Sequence, residues 1–120
     1  MSKKTLVVGA SENPTRYSHR AVRKLSQHEH EVLGLNIKPG KIGDIDIVTE
    51  VPENSDIHTV TVYIEKDNQD QLMDLIKEIE PQRVIFNPGA ENQELSKELE
   101  SLGIETIEAC TLVMLNIGNY

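Results

Sequence analysis

Gly9-Ala10-Ser11-Glu12-Asn13-Pro14-Thr15-Arg16-Tyr17-Ser18 brings small residues, hydroxyls and a fixed cation together within ten positions. Such a stretch can hold a phosphate. The small Gly9, Ala10 and Ser11 let a diphosphate approach the backbone closely, and a helix opening near Ser18 presents free N–H groups and a partial positive charge. Ser11 and Ser18 add hydroxyl donors, and Arg16 adds a guanidinium suited to phosphate oxygens. Asn13, Pro14 and Tyr17 complete this candidate binding loop. The plain alternative is that glycine only ends a strand and Ser18 only caps a helix.

Asn36, Lys38 and Lys41 form a second group, after the next strand. An NAD site usually combines G-x-G-x-x-G with an acidic residue about 20 positions on, which holds the ribose 2′-hydroxyl. Gly9-Ala10-Ser11 lacks the second and third glycines, and two lysines stand where the acid would be. A carboxylate there would repel a phosphorylated ribose, whereas lysines attract one. The expected ligand is therefore a nucleotide with an extra ribose phosphate: coenzyme A, phosphorylated at the 3′ position, or alternatively NADP at the 2′. Against this stands the reading of Lys38 and Lys41 as a solvated turn.

G-A-S-x-x-P-x-R-x-S after the first strand and N-x-K after the second resemble the motifs of the small single-domain coenzyme A-binding proteins. Gly9, Ala10, Ser11, Pro14, Arg16 and Ser18 match the first motif; Asn36 and Lys38 match the second, with Ile37 where that family generally has proline. The Pro39-Gly40-Lys41 turn is similar to one in the cofactor-binding domain of the succinyl-CoA synthetase α subunit. The resemblance covers essentially the whole chain, down to Cys110. It implies a Rossmann-like fold with the adenosine diphosphate part of CoA over the first loop and the N-x-K segment. Two stretches depart from the family. Thr61-Val62-Tyr63-Ile64-Glu65 stands where relatives often have Asp and Arg, and Thr111 to Leu115 follows Cys110 where Pro and then Glu are frequent.

The elements that must position these residues alternate along the chain. Thr5 to Gly9 is a continuous apolar run ending in glycine, a buried parallel strand. Ala21, Val22 and Leu25 recur at helical spacing after Ser18, and Glu31 to Leu35 is the second strand. Residues 36–41 read as a Pro-Gly turn within a 36–56 stretch long enough for a lid, with a weak strand at Ile45 to Val48. Ile57 to Ile64 is the clearest strand. Asp67 or Asn68 can cap a helix striped by Leu72, Leu75, Ile76 and Ile79 and stopped by Pro81. Arg83 to Phe86 is a strand, Leu95, Leu99 and Leu102 stripe a helix closed by Gly103, and Ile104 to Ile107 is the last parallel strand. Thr111 to Leu115 is an edge element or an interface segment. The pattern predicts an α/β class: a Rossmann-like, doubly wound parallel sheet in a three-layer α/β/α arrangement, one domain over residues 1–120.

Composition narrows the function further. The chain has 120 residues and a net charge of −8, which disfavours nucleic acid. Residues 1–41 carry +5 and the rest −13, so an anionic small-molecule ligand is expected on the first part. No apolar run is long enough to span a membrane, no signal peptide opens the chain, and a single cysteine forms no internal disulfide, which together predict a cytoplasmic protein. No paired-cysteine or H-E-x-x-H spacing occurs, so no metal is expected. His28 and His30 read as solvated, His58 as a satisfied sheet residue, and His19 as either a phosphate donor or a helix-surface residue. Cys110 reads as a core or interface thiol, since its neighbours in sequence supply neither a helix N-terminus nor a cation; as an alternative it meets the CoA thiol. The chain is short for a Rossmann enzyme needing a second domain, and the synthetase it resembles relies on a further domain with a phosphorylated histidine. The expectation leans to a binding module without a catalytic centre, with NADP-dependent oxidoreductase subunit and protein-interaction module as alternatives. The apolar tail also allows a homodimer or a partner protein.

Overall fold

The computed structural model describes residues 2–120. Among these, the strands are β1 (Thr5–Val8), β2 (Val32–Leu35), β3 (Gly40–Ile42), β4 (Ile45–Val48), β5 (Thr59–Val62), β6 (Arg83–Phe86) and β7 (Glu105–Glu108). The helices are α1 (Tyr17–Gln27), α2 (Leu72–Ile79), α3 (Gln93–Ser101) and α4 (Thr111–Ile117). The strands form one sheet in the order β3-β4-β2-β1-β5-β6-β7, and every pairing is parallel except β3 with β4.

Every residue of β1, β5 and β6 is buried. Helices cover both faces of these central strands, which is why they read as aliphatic and β-branched runs rather than as alternating patterns. On one face Leu6, Val8, Val60, Val62, Val84 and Phe86 pack with Leu72 and Ile76 of α2 and Leu95 and Leu99 of α3. On the other, Val7 packs with Val22 and Leu25 of α1, Ile42, Ile47 and Leu115. Each fully buried aliphatic side chain contributes roughly 1.5–3 kcal/mol. The fold is therefore the single-domain, doubly wound α/β architecture that the sequence pattern predicts. From β1 the chain builds outward through β2 to β4, then returns to the other side of β1 with β5. The crevice beyond the carboxyl ends of β1 and β5 is thus the topological switch point.

Several elements differ from the sequence expectation. Residues 36–41 are not all turn: Gly40 and Lys41 open β3, and residues 40–48 make an edge hairpin, not a lid. The Pro39-Gly40 signal masked an alternation in which Ile42 and Ile47 go into the core while Lys41 and Asp46 face out. Ser18 does not cap α1. Arg16 holds the cap position in an extended conformation, no side chain bonds the first turn, and Ser18 lies buried inside it. Neither Asp67 nor Asn68 caps α2, because a separate 3-10 turn spans Lys66–Asn68 and α2 starts at Leu72. The cause lies at Gln69, whose buried amide donates to the Ile64 and Ala90 carbonyls at 2.9 and 2.8 Å and so ties the chain to the β5 and β6 loops. Thr111 to Leu115 is no edge strand; it forms most of α4, which packs against the α1 side of the sheet through Leu115.

Candidate functional site

Gly9 ends β1 with a φ of +91°, and an added Cβ would lie 2.9 Å from the Ile64 side chain. Glycine is thus required both by the turn and by the approach of the β5 loop. Its N–H and that of Ala10 both donate to the Leu35 carbonyl, at 2.9 and 3.2 Å, which draws the first loop against the end of β2. Asn36 completes the junction: its amide donates to the Ala10 carbonyl at 2.7 Å, its side-chain oxygen accepts from the Ile37 N–H at 2.7 Å, and its backbone N–H reaches Val48. The two sequence motifs therefore meet at one corner of the sheet.

Within the loop, the Asn13 side-chain oxygen accepts from the backbone N–H and the hydroxyl of Thr15, and the Asn13 N–H donates to Ser11 Oγ at 3.1 Å. The Asn13 carbonyl accepts from Arg16 N–H. These local bonds shape the approach to α1 without consuming the N–H groups of its first turn, which no side chain caps. His19 fixes the loop from beneath. It is buried, its Nε2 accepts from Arg23 Nε at 2.8 Å, and the proton is therefore on Nδ1, which donates to the Ser11 carbonyl at 2.9 Å. Both expectations for His19, phosphate donor and helix-surface residue, are overturned, since each ring nitrogen already has a protein partner.

The remaining candidates are on the outside of this corner. Asn13, Pro14, Arg16, Tyr17, Lys38 and Lys41 are exposed, Ser11 and Asn36 are half-buried, and Ala10 and Ser18 are buried. Among the described residues, Arg16 and Lys38 have no carboxylate within ion-pair distance, whereas Lys41 Nζ lies 3.6 Å from Asp46. The Tyr17 ring lies beneath the Arg20 guanidinium, 5.4 Å from its centroid. Sequence reasoning missed Glu12, whose carboxylate accepts from the Lys41 N–H at 2.9 Å. It was legible only as one acid in a basic segment.

A polar network lies at the ends of β5 and β6. Asn87 is buried; its amide donates to Thr61 Oγ1 at 2.6 Å and to the Val62 carbonyl, and its oxygen accepts from the Thr111 N–H at 2.9 Å. Burial pushes the nearby Tyr63 hydroxyl well above the usual phenol range. Cys110 is half-buried at the residue preceding α4, so a helix does begin beside it, contrary to the local reading. The helix was unreadable because no cap residue or turn signal announces it.

At the opposite, amino ends of the strands a second cluster surrounds Tyr120. The buried Arg83 donates through Nε to Thr59 at 2.8 Å and stacks 4.3 Å from the Tyr120 ring centroid. The Tyr120 hydroxyl bonds Thr5. His30 is not simply solvated: its Nδ1 accepts from the Lys3 N–H at 3.0 Å and its ring lies 4.9 Å from Tyr120. His58 lies just before β5 and not within a strand, because β5 begins only at Thr59; its Nδ1 pairs with Thr59 Oγ1 at 2.7 Å.

A sheet whose strand order reverses beside a glycine-led loop entering an uncapped helix defines a Rossmann-like α/β domain. Over residues 3–116 the sequence matches the model of a family described as a CoA binding domain, and the chain belongs to that family. No curated protein matches the sequence. Among solved structures, a crystal structure of an uncharacterized protein is 41% identical, with a TM-score of 0.95, covering 100% of this chain and 99% of that one. A protein from Thermus thermophilus is 20% identical with a TM-score of 0.86, covering 99% and 91%. The dinucleotide-forming acetyl-coenzyme A synthetase 1 of Ca. Korarchaeum cryptofilum shares the fold at 16% identity and a TM-score of 0.66, covering 89% of this chain and 26% of that one. Among the described residues, no helix is long and apolar enough to cross a membrane.

Proposed function

We propose that the chain is a binding module for coenzyme A or an acyl-CoA, with the pyrophosphate over the Gly9–Ser18 loop and the 3′-phosphate at the Asn36–Lys41 segment. One observation carries this reading. Asn36 pins the end of β2, which leads into the lysine-bearing segment, to the loop that enters the uncapped start of α1, and this junction supports a shared site for helix N–H groups and the exposed cations. Arg16 and Lys38 supply the charge; Ser11 supplies a hydroxyl; Gly9, Ala10, Asn13, Pro14, Tyr17 and Ser18 shape the cradle. Family membership supports CoA over NADP.

A role in binding without catalysis is supported by where the histidines are. His19 is locked beneath the loop, His28 closes the far end of α1, and His30 and His58 lie at the amino ends of the strands. No imidazole is thereby offered to a ligand in the crevice as a general base.

Thermal melting with CoA, acetyl-CoA, dephospho-CoA, NADP and NAD tests the reading. A ligand at a hundredfold excess over its dissociation constant stabilises by about 2.7 kcal/mol. CoA is expected to raise the transition more than dephospho-CoA, and both more than NAD. Equal shifts from CoA and dephospho-CoA would remove the role of the lysines, and no shift from any of the five would remove the CoA reading.

A further inference from the structure

Glu12 stands out as an acid inside the only strongly basic segment of the sequence, and the fold uses it in a specific way. Its side chain leaves the first loop and crosses to the start of β3, where Oε2 accepts from the Lys41 N–H. Gly40 is built around it: a Cβ there would lie 2.7 Å from the Glu12 carboxyl carbon and 2.9 Å from Oε2. Lys41 is engaged twice, its N–H by Glu12 and its ammonium by Asp46 across the hairpin. A carboxylate thus occupies a backbone donor between the glycine-led loop and the lysine turn.

We propose that Glu12 sets the affinity and ligand preference of this corner as a self-ligand, its carboxylate holding the Lys41 N–H until a ribose phosphate displaces it. The proposal rests on the CoA reading and deepens it. A carboxylate and a phosphate cannot share one donor, and their like charges repel at contact distance. Binding therefore includes moving Glu12 out into solvent, a cost that falls most heavily on a ligand carrying the extra phosphate. The space left by Gly40 lets the side chain lie against the backbone when that donor is free.

Isothermal titration of the intact chain with CoA and with dephospho-CoA, at one fixed low ionic strength, tests this in the unaltered protein, Glu12→Gln and Glu12→Ala. Glu12 is exposed and its melting temperature is measured alongside, so loss of folding is recognised separately. Both variants are expected to bind CoA about tenfold more tightly, and dephospho-CoA by a smaller factor. If Glu12 only pins the hairpin to the loop, Glu12→Ala weakens CoA binding, and that result overturns the proposal. Unchanged CoA affinity in both variants overturns it as well, while the CoA reading stands on the unaltered chain. Binding by neither the unaltered chain nor the variants removes both. Binding by the variants alone supports both, with Glu12 closing the site fully.

Discussion

Replacing Asn36 with alanine removes two side-chain hydrogen bonds of 2.7 Å, one to the Ala10 carbonyl and one from the Ile37 N–H. Each bond is worth about 0.5–1.5 kcal/mol net, and an acceptor left unpaired costs about 1–3 kcal/mol. Ala10 is buried, so its carbonyl has poor access to replacement water. The backbone bond from Asn36 to Val48 survives the change. The expected loss is thus about 2–3 kcal/mol, or roughly 10 °C in the melting midpoint for a domain of this size. Asn36→Asp separates the mechanism from mere space-filling. Aspartate keeps the acceptor for Ile37 but cannot donate, and it points a negative charge at a carbonyl oxygen. It should therefore destabilise more than alanine, despite its nearly identical shape. Urea denaturation followed by circular dichroism measures both, the midpoint falling at unchanged slope. Titration of the folded variants with CoA should show at least tenfold weaker binding for Asn36→Ala and weaker still for Asn36→Asp. An aspartate variant more stable than the alanine one, or an alanine variant with unaltered CoA affinity, would refute the argument that this amide couples the two halves of the corner.

Lys38→Ala is expected to weaken CoA binding severalfold while leaving dephospho-CoA affinity nearly unchanged, and to flatten the salt dependence of CoA binding; titration at two ionic strengths checks it. Arg83→Ala should lower stability by about 2–4 kcal/mol through loss of the Thr59 bond and the Tyr120 stack, yet leave CoA affinity intact, because Arg83 lies at the opposite end of the strands. Acidification should destabilise the fold. Burial, then the Lys3 charge, lowers the His30 pKa below its ordinary value of 6.5, and burial, then Arg83 and Lys3, does the same at His58 while Glu105 opposes. Both rings are favoured neutral in the fold, so their contribution is complete above pH 6.5 and is lost as the pH falls through the lowered values. Protonation of His30 also forfeits its acceptor for the Lys3 N–H. A urea midpoint lower at pH 5 than at pH 7.5, with a smaller difference in His30→Gln/His58→Gln, is the expected result.

What was legible in the sequence and what was not divide by the range of the interaction involved. β5 and β6 could be read because burial on both faces imposes its demand residue by residue, and Thr59–Val62 and Arg83–Phe86 answer it with aliphatic and β-branched side chains. Gly9 could be singled out for the same reason, since its strained turn demands glycine, whereas Asn36 was marked by the N-x-K resemblance and its bond to the Ala10 carbonyl spans 26 positions. The hairpin at 40–48 was obscured because Pro39-Gly40 is a local turn signal, while the pull of Ile42 and Ile47 into the core comes from α1 and β2, distant in sequence. Ser18 has the chemistry of a cap, but the helix begins earlier because Asn13 folds the loop back on Thr15 and Arg16. The role of Glu12 was beyond reach, because its partner, the Lys41 N–H, is set by how the first loop and β3 come together. His19 shares a helix face with Arg23 four positions on, a spacing the sequence does carry, whereas its bond to the Ser11 carbonyl depends on the path of the loop into α1. The exposed cations at 16 and 38 could be picked out from their positions in the sequence, whereas the contact of Glu12 with the Lys41 N–H emerges only when the first loop and the edge hairpin stand side by side.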